Sequence, residues 1–316
     1  MSGAGEATRG HAAPDGPPGE SRCGFVAIVG APNVGKSTLV NRLVGSKVSI
    51  VSPKVQTTRS RILGIVLRGS CQIILVDNPG FFQPRSRLDA AMVNTAWRSM
   101  GDADVIALLI DSNRGIDAAA TEVAQWLKQA GRTGIAVLNK VDAVAKPSLL
   151  SLAAELQAMA VFEPILMVSA LHGDGVDDLA DYLVQQLPGG PWLFPADEVS
   201  DAPISFLAAE ITREKLFWQL QQEVPYACAV RTELCQERAD GSLRIEQTII
   251  VERSGQKGIL IGKGGQQLRR IGEAARQDLA HLLDRPVHLF LRVQVREKWR
   301  ESPLSQQWHR LEPPKP

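Results

Sequence analysis

The sequence predicts an α/β domain, a mostly parallel sheet with helices on both faces, followed by a smaller α+β domain. Apolar runs of strand length alternate with helix-length amphipathic segments between residues 25 and 187. A stretch rich in proline and glycine follows at 188–203, as is typical of a linker. Beyond it the predicted order changes to a helix, two strands, two helices and a last strand.

The sequence divides into five predicted segments. Residues 1–22 are rich in Gly, Pro, Ala and Ser and are expected to be disordered. The first folded domain should span 23–188 and the second 204–302, with a linker at 189–203. Residues 303–316 contain several prolines and are expected to form a flexible tail.

The alternation in the first domain also predicts where a ligand would lie. Strands are expected at 25–29, 62–67, 72–76, 104–110, 134–138 and 164–168. Helices are expected near 37–45, 88–100, 117–130, 148–160 and 176–187. In parallel sheets of this kind the ligand binds beyond the carboxyl ends of the strands. Functional side chains should therefore follow the apolar runs directly.

Composition and charge indicate one kind of partner. The chain has 316 residues and a formal net charge of +1, so its overall charge favours neither nucleic acid nor a membrane. Between residues 253 and 300, however, there are 11 basic and 4 acidic side chains. This local excess favours a polyanionic partner for the second domain.

Cysteine usage and hydropathy favour a cytoplasmic protein. The four cysteines, Cys23, Cys71, Cys228 and Cys235, form no C-x-x-C pair, as expected for inert thiols of a reducing cytosol. No apolar run approaches the ~18 residues that span a bilayer. Peripheral contact with a membrane stays open.

The most specific motif follows the first predicted strand. It comprises Gly30, Ala31, Pro32, Asn33, Val34, Gly35, Lys36, Ser37 and Thr38. A strand, G-x-x-x-x-G-K-S and a helix in this order form a P-loop, whose backbone N–H groups and helix N-terminus cradle phosphate. Lys36 can reach the β- and γ-phosphates, and the Ser37 hydroxyl can bind Mg²⁺. The loop by itself does not distinguish ATP from GTP.

A second candidate follows the apolar run at 72–76. It comprises Asp77, Asn78, Pro79 and Gly80. Asp77 at a strand end can hold Mg²⁺ through a water molecule, and the N–H of Gly80 can bond the γ-phosphate. Loss of that phosphate would release the following loop, which would then act as a switch. D-x-P-G is also a common turn, but its position downstream of a P-loop favours the functional reading.

The motif after the fifth predicted strand decides the nucleotide. It comprises Asn139, Lys140, Val141 and Asp142. The Asp142 carboxylate can accept hydrogen bonds from the N1–H and 2-amino groups of guanine. Adenine has neither donor and would leave the carboxylate unpaired, which is costly. Ser169 and Ala170 follow the sixth strand and can offer backbone N–H groups to guanine O6, so we expect GTP and GDP as substrate and product.

The loop at 52–59 should complete the metal site. It reads S-P-K-V-Q-T-T-R, and a switch threonine here would add its hydroxyl to the Mg²⁺ shell when GTP is bound. We expect Thr58 rather than Thr57 to fill this role. The groups expected to act in catalysis are Lys36, Thr58 and Gly80. The alternative for residues 52–59 is a polar surface loop that binds no ligand.

Together, these motifs resemble the five sequence elements of translation-factor-related GTPases, and the Q-T-T-R form resembles the Era branch of that group. The resemblance runs through residues 24–187. It implies a Ras-like P-loop GTPase domain that hydrolyses GTP with Mg²⁺ as cofactor. The sequence departs from the Era pattern at Asn78, where Thr is usual, and this side chain is not expected to touch the nucleotide.

Two residues bear on hydrolysis. Phe81 stands where Ras-like GTPases place the glutamine that orients the attacking water, and a phenyl ring has neither donor nor acceptor. Hydrolysis should be slow unless another group supplies the missing electrostatics. Asn33 resembles the residue that binds K⁺ in potassium-activated relatives, so K⁺ is a second candidate cofactor. The alternative is that Asn33 is a plain loop residue.

The second domain carries its own motif. It comprises Gly262, Lys263, Gly264 and Gly265. A G-x-x-G loop between two helices lets a nucleic-acid backbone approach closely and clamps about four nucleotides of a single strand. Lys263 and Lys257 would contact phosphate, and Ile261 would line the base-binding groove. With the element order, this stretch resembles a type II KH domain, and the resemblance to the Era arrangement then covers residues 24–302.

The resemblance implies three readings of function. The first is a cytoplasmic, monomeric GTPase that binds the 3′ end of 16S rRNA and acts in 30S ribosomal subunit assembly and rRNA processing. The second is an RNA-binding module in which GTP is a structural ligand that is hydrolysed slowly. This reading remains an alternative because Phe81 cannot orient the attacking water. The third is a cell-cycle regulator associated peripherally with the inner membrane. Stimulation of turnover by K⁺ or RNA would separate the first two, and vesicle binding would test the third.

Overall fold

The structure, a computed structural model, describes residues 21–311. The disorder predicted for residues 1–20 lies outside this range. Arg22, which the sequence assigned to the disordered segment, is already the first residue of a strand.

The first domain is built on a six-stranded sheet. Its strands are β1 Arg22–Val29, β2 Ile62–Arg68, β3 Cys71–Asp77, β4 Val105–Asp111, β5 Gly134–Asn139 and β6 Phe162–Val168. Their order across the sheet is β2-β3-β1-β4-β5-β6. β2 pairs antiparallel with β3, and the other neighbours pair parallel. The predicted, mostly parallel sheet is confirmed.

Helices cover both faces of this sheet. They are α1 Lys36–Val44, α2 Arg87–Asp102, α3 Ala118–Ala130, α4 Lys146–Ala158 and α5 Val176–Gln186. Leu39 of α1 and Leu183 of α5 pack on one face, and Val123 of α3 and Leu156 of α4 pack on the other. Because both faces are covered, the central strands are nearly continuous apolar runs, as is typical of buried parallel sheets.

The segment at 189–203 packs against the first sheet. The Gln72 side chain of β3 accepts hydrogen bonds from the backbone N–H groups of Leu193 and Phe194 at 2.9 and 3.0 Å. Trp192 is buried and donates its indole N–H to the Ser70 carbonyl at 3.0 Å. The Leu193 side chain, by contrast, is exposed.

The second domain has the predicted order of elements. They are α6 Ile204–Gln219, β7 Ala229–Glu237, β8 Leu243–Val251, α7 Ser254–Ile261, α8 Gln266–Leu282 and β9 Val287–Val295. The sheet order is β7-β8-β9, with β7 antiparallel and β9 parallel to β8. Leu216 of α6, Leu260 of α7 and Ile271 of α8 pack in the core on one face of this sheet.

The flexible tail predicted for 303–316 is wrong for residues 303–311. Pro303–Trp308 form a further helix, α9, whose first residue is proline and whose N-cap is Ser302. Proline is favoured at this helix position because its missing N–H would have no partner there. Leu311 is buried in one cluster with Leu88 and Met92 of α2. Residues 312–316 lie outside the described part of the chain.

Candidate nucleotide and nucleic-acid sites

The P-loop lies between β1 and α1, and its glycines are required by close contacts. Gly30 and Gly35 have φ angles of 140° and 103°, which L side chains rarely adopt. A Cβ atom on Gly30 would lie 2.3 Å from the Leu109 carbonyl oxygen, and one on Gly35 would lie 2.3 Å from Nδ2 of Asn139. The loop therefore sits directly on the ends of the neighbouring strands.

Lys36 is buried inside the P-loop. Its ammonium group donates to the carbonyl oxygens of Gly30 at 3.1 Å and Ala31 at 2.9 Å. Burial lowers the pKa of Lys36 to about 8, and the negative charge of Asp77 opposes this shift. A phosphate group in the loop would likewise favour the charged form of Lys36.

Three of the predicted metal-binding groups meet at one point. The Ser37 hydroxyl lies 2.8 Å from the Thr58 hydroxyl and donates to Oδ2 of Asp77 at 2.7 Å. Asp77 is fully buried. Burial raises its pKa, while hydrogen bonds from Ser49 and Ser37 lower it. The contact with Ser49 was not foreseen from the sequence.

This oxygen set suits Mg²⁺. Magnesium is bound by hard oxygen ligands and commonly takes one or two carboxylates together with substrate phosphates and water. Within residues 21–311, Oδ1 of Asp77 is buried and has no hydrogen-bond partner. In the same range, no group of three or more His, Cys, Asp or Glu side chains forms a metal site, so a site built from a carboxylate and hydroxyls is the candidate that the described residues offer.

Of the two candidate threonines, Thr58 faces the P-loop. The Thr57 hydroxyl instead bonds within its own loop, to the Ser52 hydroxyl at 2.6 Å and to the Lys54 carbonyl oxygen at 2.7 Å. Nδ2 of Asn33 donates to the Pro53 carbonyl oxygen at 2.9 Å. The P-loop and the 52–59 loop are therefore in contact.

Asn139 and Lys140 brace the loops at the ends of the strands. The Asn139 amide donates to the Val34 carbonyl oxygen at 2.8 Å and accepts from the Ala170 N–H at 2.9 Å. The Lys140 ammonium contacts the carbonyl oxygen of Asn33 at 2.9 Å and Oδ2 of Asp111 at 2.6 Å. These bonds join the loops that follow β1, β4, β5 and β6.

Asp142 lies at the open end of this arrangement. Val141 begins a short 3₁₀ turn that carries Asp142, and the residue is exposed. A hydrogen bond from Ser169 lowers the pKa of Asp142, so the side chain is a charged acceptor at neutral pH. Ser169 and Ala170 are themselves buried.

Arg42 and Asp111 support the same loops and were missed from the sequence. Nε of Arg42 donates to the Ala170 carbonyl oxygen at 3.3 Å, and Nη2 donates to that of Leu171. Asp111 is the last residue of a buried strand, as Asp77 is, and this position in the sequence could have marked it as a candidate. Nothing in the sequence around Arg42 distinguishes it from other helix residues.

The 77–81 segment lies against the P-loop. A Cβ atom on Gly80 would lie 2.8 Å from the Pro32 nitrogen. Asn78 is buried, and its amide donates to the Val76 carbonyl oxygen at 3.2 Å. Phe81 is buried, with its ring centroid 4.4 Å from that of Trp97. The phenyl ring is thus part of the core.

These loops line a cavity of about 430 Å³. Its lining includes Pro32, Asn33, Gly35, Lys36, Ser37, Thr38, Thr58, Gly80 and Lys140. Trp218 of α6 also lines it, so the second domain reaches the nucleotide cavity.

The G-x-x-G loop joins α7 to α8, as predicted. Gly262, Gly264 and Gly265 have φ angles of 72°, 60° and 78°. A Cβ atom on Gly262 would lie 2.7 Å from Cβ of Gln267, whereas nothing lies within 4 Å of one on Gly264. Lys263 is exposed between them. The loop is accessible at its tip.

A groove of about 570 Å³ runs beside this loop, between α8 and β9. Its walls include Leu268, Arg269, Arg276, Leu289 and Leu291. Ile261 was expected to line the base-binding groove. In the structure Ile259 is exposed and Ile261 is half-buried, and neither lines this groove.

Comparison with known proteins agrees with this architecture. Residues 25–140 match the family described as 50S ribosome-binding GTPase, and residues 223–300 match the KH domain family. The GTPase Era of Rhizobium meliloti is 56% identical over 283 residues, which cover 90% of this chain and 90% of the relative. The chain belongs to the Era family of GTPases. Like the rest of that family, it is a GTP-hydrolysing enzyme.

Solved structures of Era align with this family member over most of its length. Era in complex with MgGDPNP and nucleotides 1506–1542 of 16S ribosomal RNA has a TM-score of 0.87 and 40% identity, covering 92% of this chain and 98% of that one. A single-residue variant of Aquifex aeolicus Era bound to GDP·AlF₄⁻ also has a TM-score of 0.87 and 40% identity, covering 91% and 98%. Among residues 21–311, no helix is long and apolar enough to cross a membrane.

Proposed function

We propose that this Era-family GTPase binds GTP with Mg²⁺ in the cavity of its first domain and the 3′ end of 16S rRNA through its KH domain. It acts in 30S subunit assembly and rRNA processing in the cytoplasm. The observation that carries this proposal is the alignment, over 92% of the chain, with Era in complex with MgGDPNP and 16S rRNA nucleotides 1506–1542. A P-loop cavity and a G-x-x-G loop in one chain provide the two sites that this activity needs.

The proposed nucleotide contacts follow from the cavity. Backbone N–H groups of residues 30–38 and the Lys36 ammonium bind the phosphates. The Asp142 carboxylate accepts hydrogen bonds from the guanine N1–H and 2-amino groups. The expected donation from the Ser169 and Ala170 backbone to guanine O6 would have to share or displace the bonds that these N–H groups make to the Asp174 carbonyl oxygen and the Asn139 side chain, both at 2.9 Å. The hydrogen bonds of Asn139 and Lys140 hold these groups in place before the nucleotide arrives.

Ser37, Thr58 and Asp77 are the proposed holders of Mg²⁺, with Asp77 acting through water. The unpartnered, buried Oδ1 of Asp77 supports this assignment. When bound, Mg²⁺ neutralises phosphate charge. The hydroxyls of Ser37 and Thr58 face each other and orient the 52–59 loop toward the phosphates.

Water is the proposed nucleophile, and Phe81 does not orient it, because its ring is buried against Trp97. The N–H of Gly80 and the ammonium of Lys36 would stabilise the phosphoryl oxygens.

Asn33 is the proposed K⁺ ligand. Its Nδ2 donates to the Pro53 carbonyl oxygen, so the Asn33 side-chain oxygen is the atom that would bind a cation. Faster turnover in K⁺ than in Na⁺, lost in Asn33→Ala, is the expected result.

The RNA contacts are proposed at the loop and its groove. Lys263 and Lys257 bind phosphate, and Gly262, Gly264 and Gly265 allow the RNA backbone to approach. Ile261, which is half-buried at the end of α7 and does not line the groove, is the proposed apolar contact for a base. Arg269 and Arg276 in the groove wall add two guanidinium groups that the sequence reading did not single out.

The test is binding of a short RNA matching the 3′ end of 16S rRNA to the full-length protein. Gly264→Asp places a carboxylate at the loop tip and should weaken binding at least about tenfold through repulsion of phosphate. Gly241→Asp is the matched control, because Gly241 also has a positive φ and nothing within 4 Å of an added Cβ. Equal loss in both variants, or no binding by the unaltered protein, would contradict the proposed RNA site.

A further inference from the structure

Arg59 of the 52–59 loop is buried in the second domain. Its guanidinium donates to the carbonyl oxygens of Cys228 at 2.8 Å and Tyr226 at 2.9 Å. Both acceptors belong to the segment between α6 and β7. The rings of Phe217 and Trp299 lie 5.7 and 6.0 Å from the guanidinium carbon, within the range of cation–π contacts. A side chain of the GTPase domain is therefore enclosed by the KH domain.

This burial is unfavourable for the charge itself. It lowers the pKa of Arg59 to about 9, the nearby cation of Arg213 acts in the same direction, and Glu210 opposes them. Taking a charge out of water costs free energy that hydrogen bonds inside the protein only partly offset. Stability alone is thus a weak reason for an arginine at this place, and its directional hydrogen bonds point to a positional role.

Arg59 directly follows Thr58 in the chain, so fixing one restricts the other. Consecutive Cα atoms are about 3.8 Å apart, and the Thr58 hydroxyl lies 2.8 Å from that of Ser37. The guanidinium is held on the KH side and the hydroxyl on the P-loop side. Thr58 is therefore held between one partner in each domain.

The other end of the same loop is also held by the KH domain. The Val51 N–H donates to Oε1 of Glu214 at 2.9 Å, and the Trp218 indole donates to the Val51 carbonyl oxygen at 3.1 Å. Lys54 donates to the Leu220 carbonyl oxygen. Contacts from α6 and the residue that follows it therefore frame the loop from residue 51 to residue 59.

We propose that Arg59 is a positioning residue through which the KH domain holds Thr58 in the nucleotide site. The KH domain thereby completes the GTP-binding form of the neighbouring domain. This inference rests on the proposed role of Thr58 in the GTP-bound site. GDP lacks the γ-phosphate toward which Thr58 is held, so its binding does not depend on Arg59.

The test replaces Arg59 by methionine in the full-length protein. Arg59→Met should weaken binding of a non-hydrolysable GTP analogue at least about tenfold through loss of two hydrogen bonds from a charged donor. Binding of GDP should change by less than about twofold. Both affinities are measured well below the thermal midpoint of the variant, because the two unpaired carbonyl groups also lower its stability. Arg59→Lys keeps the charge but not the planar guanidinium, so its affinity for the GTP analogue should lie between those of the unaltered protein and Arg59→Met. Equal weakening of both nucleotides would overturn the proposal in favour of a merely structural role.

Two controls separate this inference from the proposed function. Arg68→Met removes an exposed guanidinium that pairs with Asp177 and Asp181 within the first domain, and should leave both nucleotide affinities unchanged. Thr58→Ala should lower affinity for the GTP analogue and spare GDP. If Thr58→Ala does so and Arg59→Met does not, the positioning role is wrong and the role of Thr58 stands. If neither variant distinguishes the nucleotides, the assignment of Thr58 fails, and the inference fails with it.

Discussion

Asn139 joins three loops of the nucleotide cavity through one amide group. Its donor and acceptor contact Val34 and Ala170, and its neighbour Lys140 reaches Asn33 and Asp111. Because these side chains are occupied with protein contacts, Asp142 is the side chain of the motif that remains exposed to read a base. We therefore propose that Asp142 is the one side chain that distinguishes guanine.

Asp142→Asn should reduce discrimination between guanine and hypoxanthine, which lacks the 2-amino group. The unaltered protein should bind GDP at least about tenfold more tightly than inosine diphosphate, because the latter lacks the 2-amino donor and loses one hydrogen bond to a charged acceptor. In the variant, one amide donor faces the guanine donors, so GDP affinity should fall by about 10- to 100-fold and most of the discrimination should be lost. Competition binding would measure both effects. Asp178→Asn, at an exposed position of α5, is the control and should leave both affinities unchanged. Wild-type GDP affinity in Asp142→Asn would contradict the proposed role of Asp142.

The residues of the candidate nucleotide site differ in how far the sequence reveals them. Asn139, Lys140 and Asp142 follow a strand in a specific motif, so their common location was predictable. Ser49 and Arg42 lie in no motif. Each acts on a partner remote in the chain, 28 residues away for Ser49 and Asp77 and 128 for Arg42 and Ala170. Such contacts depend on tertiary packing, which local sequence does not encode.

At the scale of elements, α9 fastens the end of the described chain to both domains. Leu311 packs with Leu88 of α2 and Trp299 of the second domain. Arg310 pairs with Asp201 at 2.8 Å. The prolines near the C-terminus suggested a frayed end, but the burial of Leu311 is created by α2, which lies far away in sequence. Local composition could not predict it.

Leu311→Ala should destabilise the protein, because a buried leucine truncated to alanine leaves a cavity. The expected loss is about 2–4 kcal/mol in the free energy of unfolding, as measured by denaturant titration. Leu304→Ala in α9 is the matched control, since Leu304 is exposed, and should cost less than about 1 kcal/mol. Equal effects of the two variants would show that the C-terminal segment does not pack as described.

At the scale of the whole molecule, the GTPase loop at 51–59 is shared between two domains. Lys47, just before it, pairs with Glu214 at 2.6 Å and with Asp278 at 3.3 Å, so the α6 and α8 helices of the KH domain also contact the first domain. The sequence predicts both domains and their order from motifs. It could not predict this interface. Arg59 belongs to the Q-T-T-R motif and Glu214 to a helix, but neither position indicates its contact partner in the other domain. A change in the loop on GTP binding would act on the domain that carries the G-x-x-G loop.

The most direct test of a GTP-controlled RNA-binding protein compares RNA affinity in two nucleotide states. The full-length protein, loaded with either a non-hydrolysable GTP analogue or GDP, is titrated with RNA matching the 3′ end of 16S rRNA. Coupling free energies between sites are typically about 1–3 kcal/mol, so we expect at least about fivefold tighter binding in the GTP-analogue form. Equal affinity in the two states would contradict the claim, because a ligand shifts an equilibrium only through differential affinity for its states.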